Sequence, residues 1–436
     1  MDIAIPINSK MVWSNTANMT VLPATMLGVI DHVAMKLPQY PTLRKMFADT
    51  FSNTFLTTLK PQGDGSLFVI TGDIPAMWLR DSAAQVQPYL RLAKSDSLFA
   101  NLIANVVKRQ AAFVLIDPYA NAFNEAANGH CHNKDKTEMG DWIWERKYEL
   151  DSLCAPLKLA HDLWRATGQI DHLDATFTSA ARLVVETIAT EQHHENSTYR
   201  FERLEGPSSD TLSNGGLGSA VGFTGMSWSG FRPSDDACRY HYLLPANMMA
   251  VVALECLVQL PLRDVGLQLQ ARMLAQEIRT GIETHGTVMH RRFGKIYAYE
   301  VDGLGHHSLM DDANVPSLLA MPYLGYCRSD DPTYQATRSF ALSAENPYFY
   351  AGKSAQGVGS PHTPENFIWP IALCMQGLTS ASKMEKIALL ETLLHTDAGT
   401  GLMHESFHKD NPEKFTRPWF AWANSLFAEF VLTICE

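Results

Sequence analysis

The segment Asp151-Ser-Leu-Cys-Ala-Pro-Leu-Lys-Leu-Ala160 runs from an acid through a proline into an apolar helical pattern. Proline suits the first turn of a helix, where its missing N–H group is no loss. The same order occurs at six places, which are Asp81 with Pro88, Asp151 with Pro156, Asp236 with Pro245, Asp312 with Pro316, Glu365 with Pro370 and, more weakly, Glu405 with Pro418. The stretch between one such place and the next leaves room for one further helix of ~10–20 residues that runs back in the opposite direction. The pattern therefore predicts six helical hairpins.

If these hairpins close into a ring, the six inner helices share one orientation and the loops at one end converge on a single hollow. Helical periodicity also dominates between the acids, in Met26–Leu37, Leu98–Ile116, Ile170–Ala189, Met248–Leu260, Leu267–Thr284 and Met384–Leu394. Strand signals are confined to Ser66–Thr71 and Lys295–Val301, each long enough for a minor hairpin. No linker separates domains, so residues 1–436 are predicted to form one unit, with a loose arm left open for residues 1–20.

Composition excludes several classes of partner. The chain has 436 residues, 46% of them hydrophobic, and a net charge of −11, without a basic block. A nucleic-acid or anionic-membrane partner would call for a basic surface, so neither is expected. The N-terminus lacks a secretion-signal pattern and no run reaches ~18 apolar residues, which predicts a cytoplasmic protein. Seven scattered cysteines without a Cys-x-x-Cys spacing predict reduced thiols.

The acids ahead of the helices have two interpretations. Acids in a first helical turn can cap free N–H groups and complement the helix dipole. Capping does not require the aromatic and basic residues found beside these acids, which are Trp78, Arg80, Trp142, Trp144, Trp228, Arg232, His306, His307, His362, Trp369, Trp419 and Trp422. Aromatic faces stacked on sugar rings, with carboxylates binding hydroxyl groups, are what a carbohydrate pocket requires.

Glycoside hydrolysis needs a carboxylic acid that protonates the leaving oxygen and a carboxylate that activates water or attacks the anomeric carbon. The segment Ser227–Asp236 offers the adjacent pair Asp235 and Asp236, and neighbouring carboxylates raise each other's pKa. Glu405, ahead of an aromatic-rich stretch, is the other candidate, although a lone acid in such a loop is usually only solvated.

Six segments, in order, resemble those of glycoside hydrolase family 125, the exo-α-1,6-mannosidases. They are Gly72-Asp-Ile-Pro-Ala-Met-Trp-Leu-Arg-Asp-Ser82, Tyr148-Glu-Leu-Asp-Ser152, Phe231-Arg-Pro-Ser-Asp-Asp-Ala237, Met310-Asp-Asp-Ala-Asn314, Gly359-Ser-Pro-His-Thr-Pro364 and His404-Glu-Ser406, and the similarity runs from about Lys45 to the C-terminus. The resemblance implies an all-α (α/α)6 barrel and metal-independent, inverting removal of a terminal non-reducing α-1,6-linked mannose, without a cofactor. It also implies a mannose-containing oligosaccharide as the partner.

The resemblance makes Asp235 or Asp236 the general acid, with a slight preference for Asp235, and Glu405 the general base. An inverting pair should stand ~6.5–9.5 Å apart. The residues predicted to bind substrate are Trp78, Arg80, Asp81, Asp151, Arg232, Asp311, Asp312, Asn314, His362, Trp419 and Asn424. Most of them have a structural alternative: a buried salt bridge for Arg80 and Asp81, helix capping for Asp151 and for Asp311 to Asn314, loop packing for His362, and ordinary core for the tryptophans.

Two other functions stay open at this stage. A sugar epimerase on the same architecture would use a histidine pair, and His306-His307 supplies one. A non-catalytic sugar-binding protein would keep the aromatics and Arg80 but would not need two opposed carboxylates. The tract Gly129-His-Cys-His132 lacks a second ligand pair at zinc-site spacing, and the glycine run Asn214–Gly222 lacks the ending of a phosphate loop.

Overall fold

The computed structural model describes residues 21–436, so the arm predicted at residues 1–20 lies outside the described residues. The chain is mostly helical. Its α-helices are α1 (Ala24–Lys36), α2 (Leu43–Thr57), α3 (Leu79–Val86), α4 (Leu90–Ala93), α5 (Ser97–Ile116), α6 (Leu150–Thr167), α7 (Ala175–Thr190), α8 (Ser213–Gly216), α9 (Leu244–Gln259), α10 (Val265–His285), α11 (Met321–Leu324), α12 (Pro332–Ala341), α13 (Pro370–Leu378), α14 (Lys383–Leu394) and α15 (Ala421–Ile434).

The strands are short and lie in the connections between helices. They are β1 (Leu59–Pro61), β2 (Leu67–Val69), β3 (Met77–Trp78), β4 (Ala122–Phe123), β5 (Ile143–Glu145), β6 (Tyr242–Leu243), β7 (Thr287–His290), β8 (Gly294–Tyr297), β9 (Glu300–Val301), β10 (His307–Ser308), β11 (Phe349–Ala351), β12 (Gln356–Val358), β13 (Phe367–Ile368), β14 (Ser406–His408) and β15 (Asn411–Thr416). All their pairings are antiparallel, in sheets of two or three strands.

Five helices, α3, α6, α9, α13 and α15, have largely buried surfaces, and together with the short α11 we call them the inner helices. Helix α3 packs against α6, α6 against α9, and α9 against α11, while α15 packs against both α13 and α3. A continuous cluster of buried apolar side chains extends from Met26 in α1 to Cys435 beyond α15. The N-terminal half and the C-terminal end of the chain therefore share one core.

The two sets of helices begin differently. Helices α5, α7, α10, α12 and α14 each start at a side chain that accepts a hydrogen bond from a backbone N–H of the first turn, namely Asp96, Asp174, Asp264, Asp331 and Ser382. The inner helices start without such a cap among the residues that the structure describes. Their first N–H groups and positive dipole ends therefore face the loops at that end.

The predicted elements are mostly found, with corrections at their ends. The segment Ile170–Ala189 becomes helical only at Ala175, because Asp174 caps the helix there. The segment Lys295–Val301 forms two strands, β8 and β9. The prolines are less regular than predicted: Pro156 lies inside α6, and no α-helix begins at Pro316, since α11 starts at Met321.

All seven cysteines are free, as predicted. Among residues 21–436, one helix, α5, is long and apolar enough to cross a membrane by length and composition. In its apolar 18-residue stretch, however, 61% of the residues are buried inside the protein. Helix α5 packs against α6 and α7. Its apolar character is accounted for by its place between other helices.

Candidate active site

A cavity of about 210 Å³ lies at the N-terminal ends of the inner helices α3, α13 and α15. Arg80 and Asp81 enter it from the first turn of α3, Trp369 from the residue before α13, and Trp422 from the first turn of α15. The complete lining is Thr71, Ile74, Trp78, Arg80, Asp81, His132, Glu145, Lys147, Arg203, Asp210, Pro233, Ser234, Asp235, Asn314, His362, Trp369, Glu405, Arg417, Phe420 and Trp422. Segments from the whole length of the chain thus meet around one hollow.

Asp235 lines the cavity in an unusual backbone conformation. Its φ of 69° lies in the left-handed region, which is uncommon for a residue with a side chain. Two hydrogen bonds hold the turn: the Asp235 N–H donates to the carbonyl of Arg232 at 2.9 Å, and Lys147 Nζ donates to the Asp235 carbonyl at 2.6 Å. The side chain of Asp235 faces the cavity, whereas its neighbour Asp236 is buried outside the lining.

Three cations set the charge state of Asp235. Burial of its carboxyl group would raise the pKa, but Lys147, His362 and Arg80 outweigh that effect and hold the pKa of Asp235 below its ordinary value. Lys147 is itself almost completely buried, and nearby carboxylates keep its pKa raised despite the burial. Asp235 is therefore held as a carboxylate in the free protein.

Glu405 lines the same cavity, immediately before strand β14. Its Oε1 lies 3.5 Å from a terminal nitrogen of Arg417. Arg417 is fixed in turn by Asp73, to which its Nη2 donates at 2.6 Å, and by the hydroxyl of Thr71 at 3.2 Å. Its guanidinium also stacks over Phe420, 4.5 Å from the ring centre. Glu405 thus has a rigidly held cation at its side.

His362 supplies a further positive charge. Burial disfavours the imidazolium, but the carboxylates of Asp236, Asp235 and Glu405 outweigh burial and raise the pKa of His362 to about 9. Its Nδ1 lies 3.9 Å from Asp236 Oδ1. At neutral pH the ring is therefore a cation that interacts electrostatically with both candidate catalytic carboxyl groups.

Arg80 is the centre of a buried charge network. Its Nη1 donates to Glu149 at 2.6 Å and to Asp151 at 2.7 Å, and its Nη2 donates to the carbonyl of Pro233 at 2.9 Å. The guanidinium lies over the ring of Trp422 at 5.5 Å. The carboxyl group of Asp81 beside it has a pKa raised to about 6, because burial outweighs the attraction of Arg80 and Arg417. Arg80 thus links α3, α6 and the loop of Asp235.

Seven of the predicted site residues line the cavity: Trp78, Arg80, Asp81, Asp235, Asn314, His362 and Glu405. The other seven do not, and they are Asp151, Arg232, Asp236, Asp311, Asp312, Trp419 and Asn424. The predicted site residues therefore fall into two groups: seven that line the cavity, which we call the wall, and seven that lie behind the wall.

Five of the residues behind the wall form hydrogen bonds with neighbouring loops and helices. Asp311 accepts hydrogen bonds from the backbone N–H groups of Leu318 and Leu319, and Asp312 accepts one from Ser234. Arg232 donates to Glu300 at 2.6 Å. Trp419 Nε1 donates to Asn53, and Asn424 accepts from the Met403 N–H group. These side chains are occupied in bonds to other parts of the protein.

Sequence reasoning missed several charged lining residues, namely His132, Glu145, Lys147, Arg203, Asp210 and Arg417. Lys147 directly precedes the quoted segment Tyr148–Ser152, and Arg417 directly precedes Pro418, so proximity to those features was the available signal. His132 belongs to the tract examined above only as a zinc candidate. Within residues 21–436, no group of three His, Cys, Asp or Glu side chains is arranged to hold a metal ion.

The histidine pair required by the epimerase alternative lies outside the cavity lining. His306 and His307 are both exposed, and His306 Nδ1 is bound to Asp302 at 2.6 Å. A base for proton abstraction has to reach its substrate, so this pair does not serve the cavity. Two carboxyl groups and a histidine cation lining one cavity are instead suited to acid–base chemistry.

Comparison with known proteins gives a consistent result. Residues 40–432 match the family model described as metal-independent alpha-mannosidase (GH125). A solved structure of such an enzyme from Streptococcus pneumoniae, in a non-productive complex with alpha-1,6-mannobiose, is 50% identical with a TM-score of 0.94, covering 96% of this chain and 99% of that one. The meiotically up-regulated gene 157 protein of Schizosaccharomyces pombe is 41% identical over 90% of this chain and 82% of its own length. A wild-type glycosidase structure, 11% identical with a TM-score of 0.51, shares the fold.

Proposed function

The chain belongs to the GH125 family of metal-independent α-mannosidases and is a glycoside hydrolase, and from this premise we propose that it is exo-acting and inverting. The substrate is a terminal, non-reducing α-1,6-linked mannose on an oligosaccharide. The S. pneumoniae relative was solved with α-1,6-mannobiose, which supports this linkage for a chain 50% identical to it.

The architecture that serves this function is an (α/α)6 barrel forming one catalytic domain. In support, successive inner helices pack against one another and α15 returns to α3. The uncapped N-terminal ends of α3, α13 and α15 contribute side chains to the cavity wall. In such a ring, residues distant in sequence reach one site from successive loops.

The observation that carries the proposal is that Asp235 and Glu405 line the same cavity. Asp235 protonates the glycosidic oxygen as its bond to the anomeric carbon breaks. Glu405 accepts a proton from the water that attacks the opposite face of that carbon. Arg417 keeps the carboxylate of Glu405 oriented, because the guanidinium is anchored by Asp73.

The remaining wall residues bind the terminal mannose. Asp81 and Asn314 each have a buried side-chain oxygen that accepts no hydrogen bond from any described residue, so both are available to sugar hydroxyl groups. Trp78 offers an aromatic face, and the cation of His362 offers N–H donors. A cavity of about 210 Å³ is small compared with the ~300–1,000 Å³ of many ligand pockets, which favours recognition of a chain end.

Proton NMR of α-1,6-mannobiose hydrolysis tests the proposal, since one spectrum reports sugar, linkage and anomeric outcome. The expected first product is β-mannose, which then mutarotates. First-formed α-mannose would contradict inversion, and cleavage of α-1,2- or α-1,3-mannobiose in preference would contradict the linkage.

A further inference from the structure

Asn121 contacts the proposed acid, Asp235, without lining the cavity. Its Nδ2 donates to Asp235 Oδ1 at 3.3 Å and to Glu145 Oε2 at 3.3 Å. Asn121 is fully buried and directly precedes β4. Its backbone carbonyl accepts from the N–H group of Leu79, the first residue of α3, at 3.1 Å. Asn121 is therefore fixed between the first inner helix and the turn that carries Asp235.

The orientation of the Asn121 amide follows from its hydrogen bonds. Its Oδ1 accepts from the backbone N–H group of Lys147 at 3.1 Å. A backbone N–H group can only donate, so the amide oxygen has to face Lys147 and the amide nitrogen has to face the two carboxyl groups. Lys147 in turn donates through Nζ to the carbonyl of Asp235 at 2.6 Å. The three residues thus form a closed ring of hydrogen bonds at the left-handed turn of Asp235.

An N–H donor at Oδ1 decides which oxygen of Asp235 carries a proton. An amide N–H group is a donor only, and the carbonyl oxygen of a carboxylic acid is a better acceptor than its hydroxyl oxygen. When Asp235 is protonated, Oδ1 is therefore the carbonyl oxygen and Oδ2 carries the proton. After the proton has left, Oδ1 shares the negative charge, and a hydrogen bond to a charged oxygen is roughly twice as strong as one between neutral groups. Asn121 thus stabilises Asp235 most after the proton transfer.

We propose that Asn121 is a positioning residue that acts through Asp235, by reserving Oδ2 for the proton that goes to the glycosidic oxygen. This role rests on the proposed function. As the bond between the anomeric carbon and the glycosidic oxygen breaks, its electron pair stays with that oxygen, which takes the proton from Oδ2. Asp235 is then a carboxylate bound at Oδ1 by Asn121. After the products leave, Asp235 takes a proton from solvent and Glu405 releases the one it took from water.

The test begins with two substitutions of Asn121. Asn121→Asp keeps an acceptor for the Lys147 N–H group but also presents an acceptor to Asp235, which draws the proton onto Oδ1 and away from the substrate. Asn121→Ala presents neither a donor nor an acceptor, so either oxygen of Asp235 can carry the proton. The proposal therefore places the aspartate variant below the alanine variant in proton transfer.

Two substrates separate proton transfer from other effects. The leaving group of α-1,6-mannobiose needs protonation, whereas that of 2,4-dinitrophenyl α-mannoside does not. On mannobiose, kcat/KM should fall about 10²-fold or more for Asn121→Asp, which is the range of general acid catalysis, and by a smaller factor for Asn121→Ala. On the dinitrophenyl substrate, both variants should change kcat/KM only a few-fold.

A merely structural role for Asn121 predicts the opposite order. Asn121→Asp preserves the shape of the side chain and the bond to Lys147, whereas Asn121→Ala leaves that buried N–H group without its partner. A structural role would make the alanine variant the poorer enzyme, with equal losses on both substrates. Either result would overturn the proposal, as would unchanged activity of Asn121→Asp on mannobiose.

Asn124→Asp is the matched control, because Asn124 is another buried asparagine beside β4. Its amide nitrogen donates to two backbone carbonyls, those of His130 at 2.7 Å and Asp141 at 3.1 Å. This variant should lower both activities by a similar factor, and a selective loss on mannobiose would also count against the role of Asn121. Wild-type protein inactive on both mannosides would instead contradict the proposed function, so the two failures are distinguishable.

Discussion

Arg417 and Glu405 form a cavity-wall pair in which the guanidinium stands 3.5 Å from the carboxylate and is itself held by Asp73. Glu405 directly precedes β14 and Arg417 directly follows β15, and these two strands pair as an antiparallel hairpin. The hairpin between them therefore fixes the distance from Glu405, the proposed base, to Arg417. A lysine at position 417 would keep the positive charge, but it lacks the two guanidinium nitrogens with which Arg417 donates to Asp73.

Arg417→Lys should lower kcat/KM on α-1,6-mannobiose about 10²-fold, because a shift of Glu405 by about 1 Å misplaces the attacking water. Steady-state kinetics measure this. Arg328→Lys is the control, since Arg328 is exposed and pairs with Asp330. Wild-type kinetics for Arg417→Lys would show that the base needs only a nearby charge.

Asp235→Asn and Glu405→Gln should each abolish turnover of α-1,6-mannobiose while leaving its binding largely intact. Asp236→Asn should reduce turnover far less, because Asp236 lies behind the cavity wall. Rate assays and calorimetry on the three variants decide between the adjacent aspartates. A larger loss for Asp236→Asn than for Asp235→Asn would transfer the acid role to Asp236.

Mannobiose binding should weaken in acid because of Asp81, whose pKa is about 6. At about pH 5 only about a tenth of this carboxyl group is ionised, so an interaction that needs the carboxylate loses about tenfold in apparent affinity. His362, with a pKa of about 9, stays protonated at pH 5 and at pH 7.5 and adds no change.

Calorimetric titration of Glu405→Gln at these two pH values measures the effect without turnover. In the double variant with Asp81→Asn, the dissociation constant should be the same at both pH values. A tenfold change that persists in the double variant would assign the titration to another group.

Glu429→Gln should stabilise the protein at alkaline pH. Burial raises the pKa of Glu429 to about 7, although the Tyr323 hydroxyl bond of 3.0 Å and the charge of Lys158 oppose the rise. The stability associated with protonated Glu429 is fully present below its unfolded pKa of about 4.5 and is lost as pH rises through about 7. Glutamine keeps an acceptor for Tyr323 and has no charge to lose.

The melting temperature of Glu429→Gln should therefore exceed that of wild type by more at pH 8 than at pH 5. Glu413→Gln, at an exposed position, should show no such difference. If the melting temperatures of Glu429→Gln and wild type differed by the same amount at pH 5 and pH 8, ionisation of Glu429 would not destabilise the folded protein.

Much of the fold was predictable because its signals are local. Helices α5, α10 and α14 lie within two residues of the predicted segments, since a 3.6-residue apolar period depends only on near neighbours. The start of α7 is set by the cap at Asp174, and ahead of α11 the N–H groups of Leu318 and Leu319 are bound by Asp311. Neither can be read from periodicity.

The sequence by itself determined which chemical groups are available: paired acids near residue 235, Glu405, and a set of tryptophans and arginines ahead of apolar helices. Only the tertiary structure decided that Asp235 rather than Asp236 lines the cavity, because a left-handed turn held by Lys147 orients it. It also decided that Arg417 stands beside Glu405. These relationships join segments far apart in the chain, and contacts of that range arise from the packing of whole helices rather than from any local pattern.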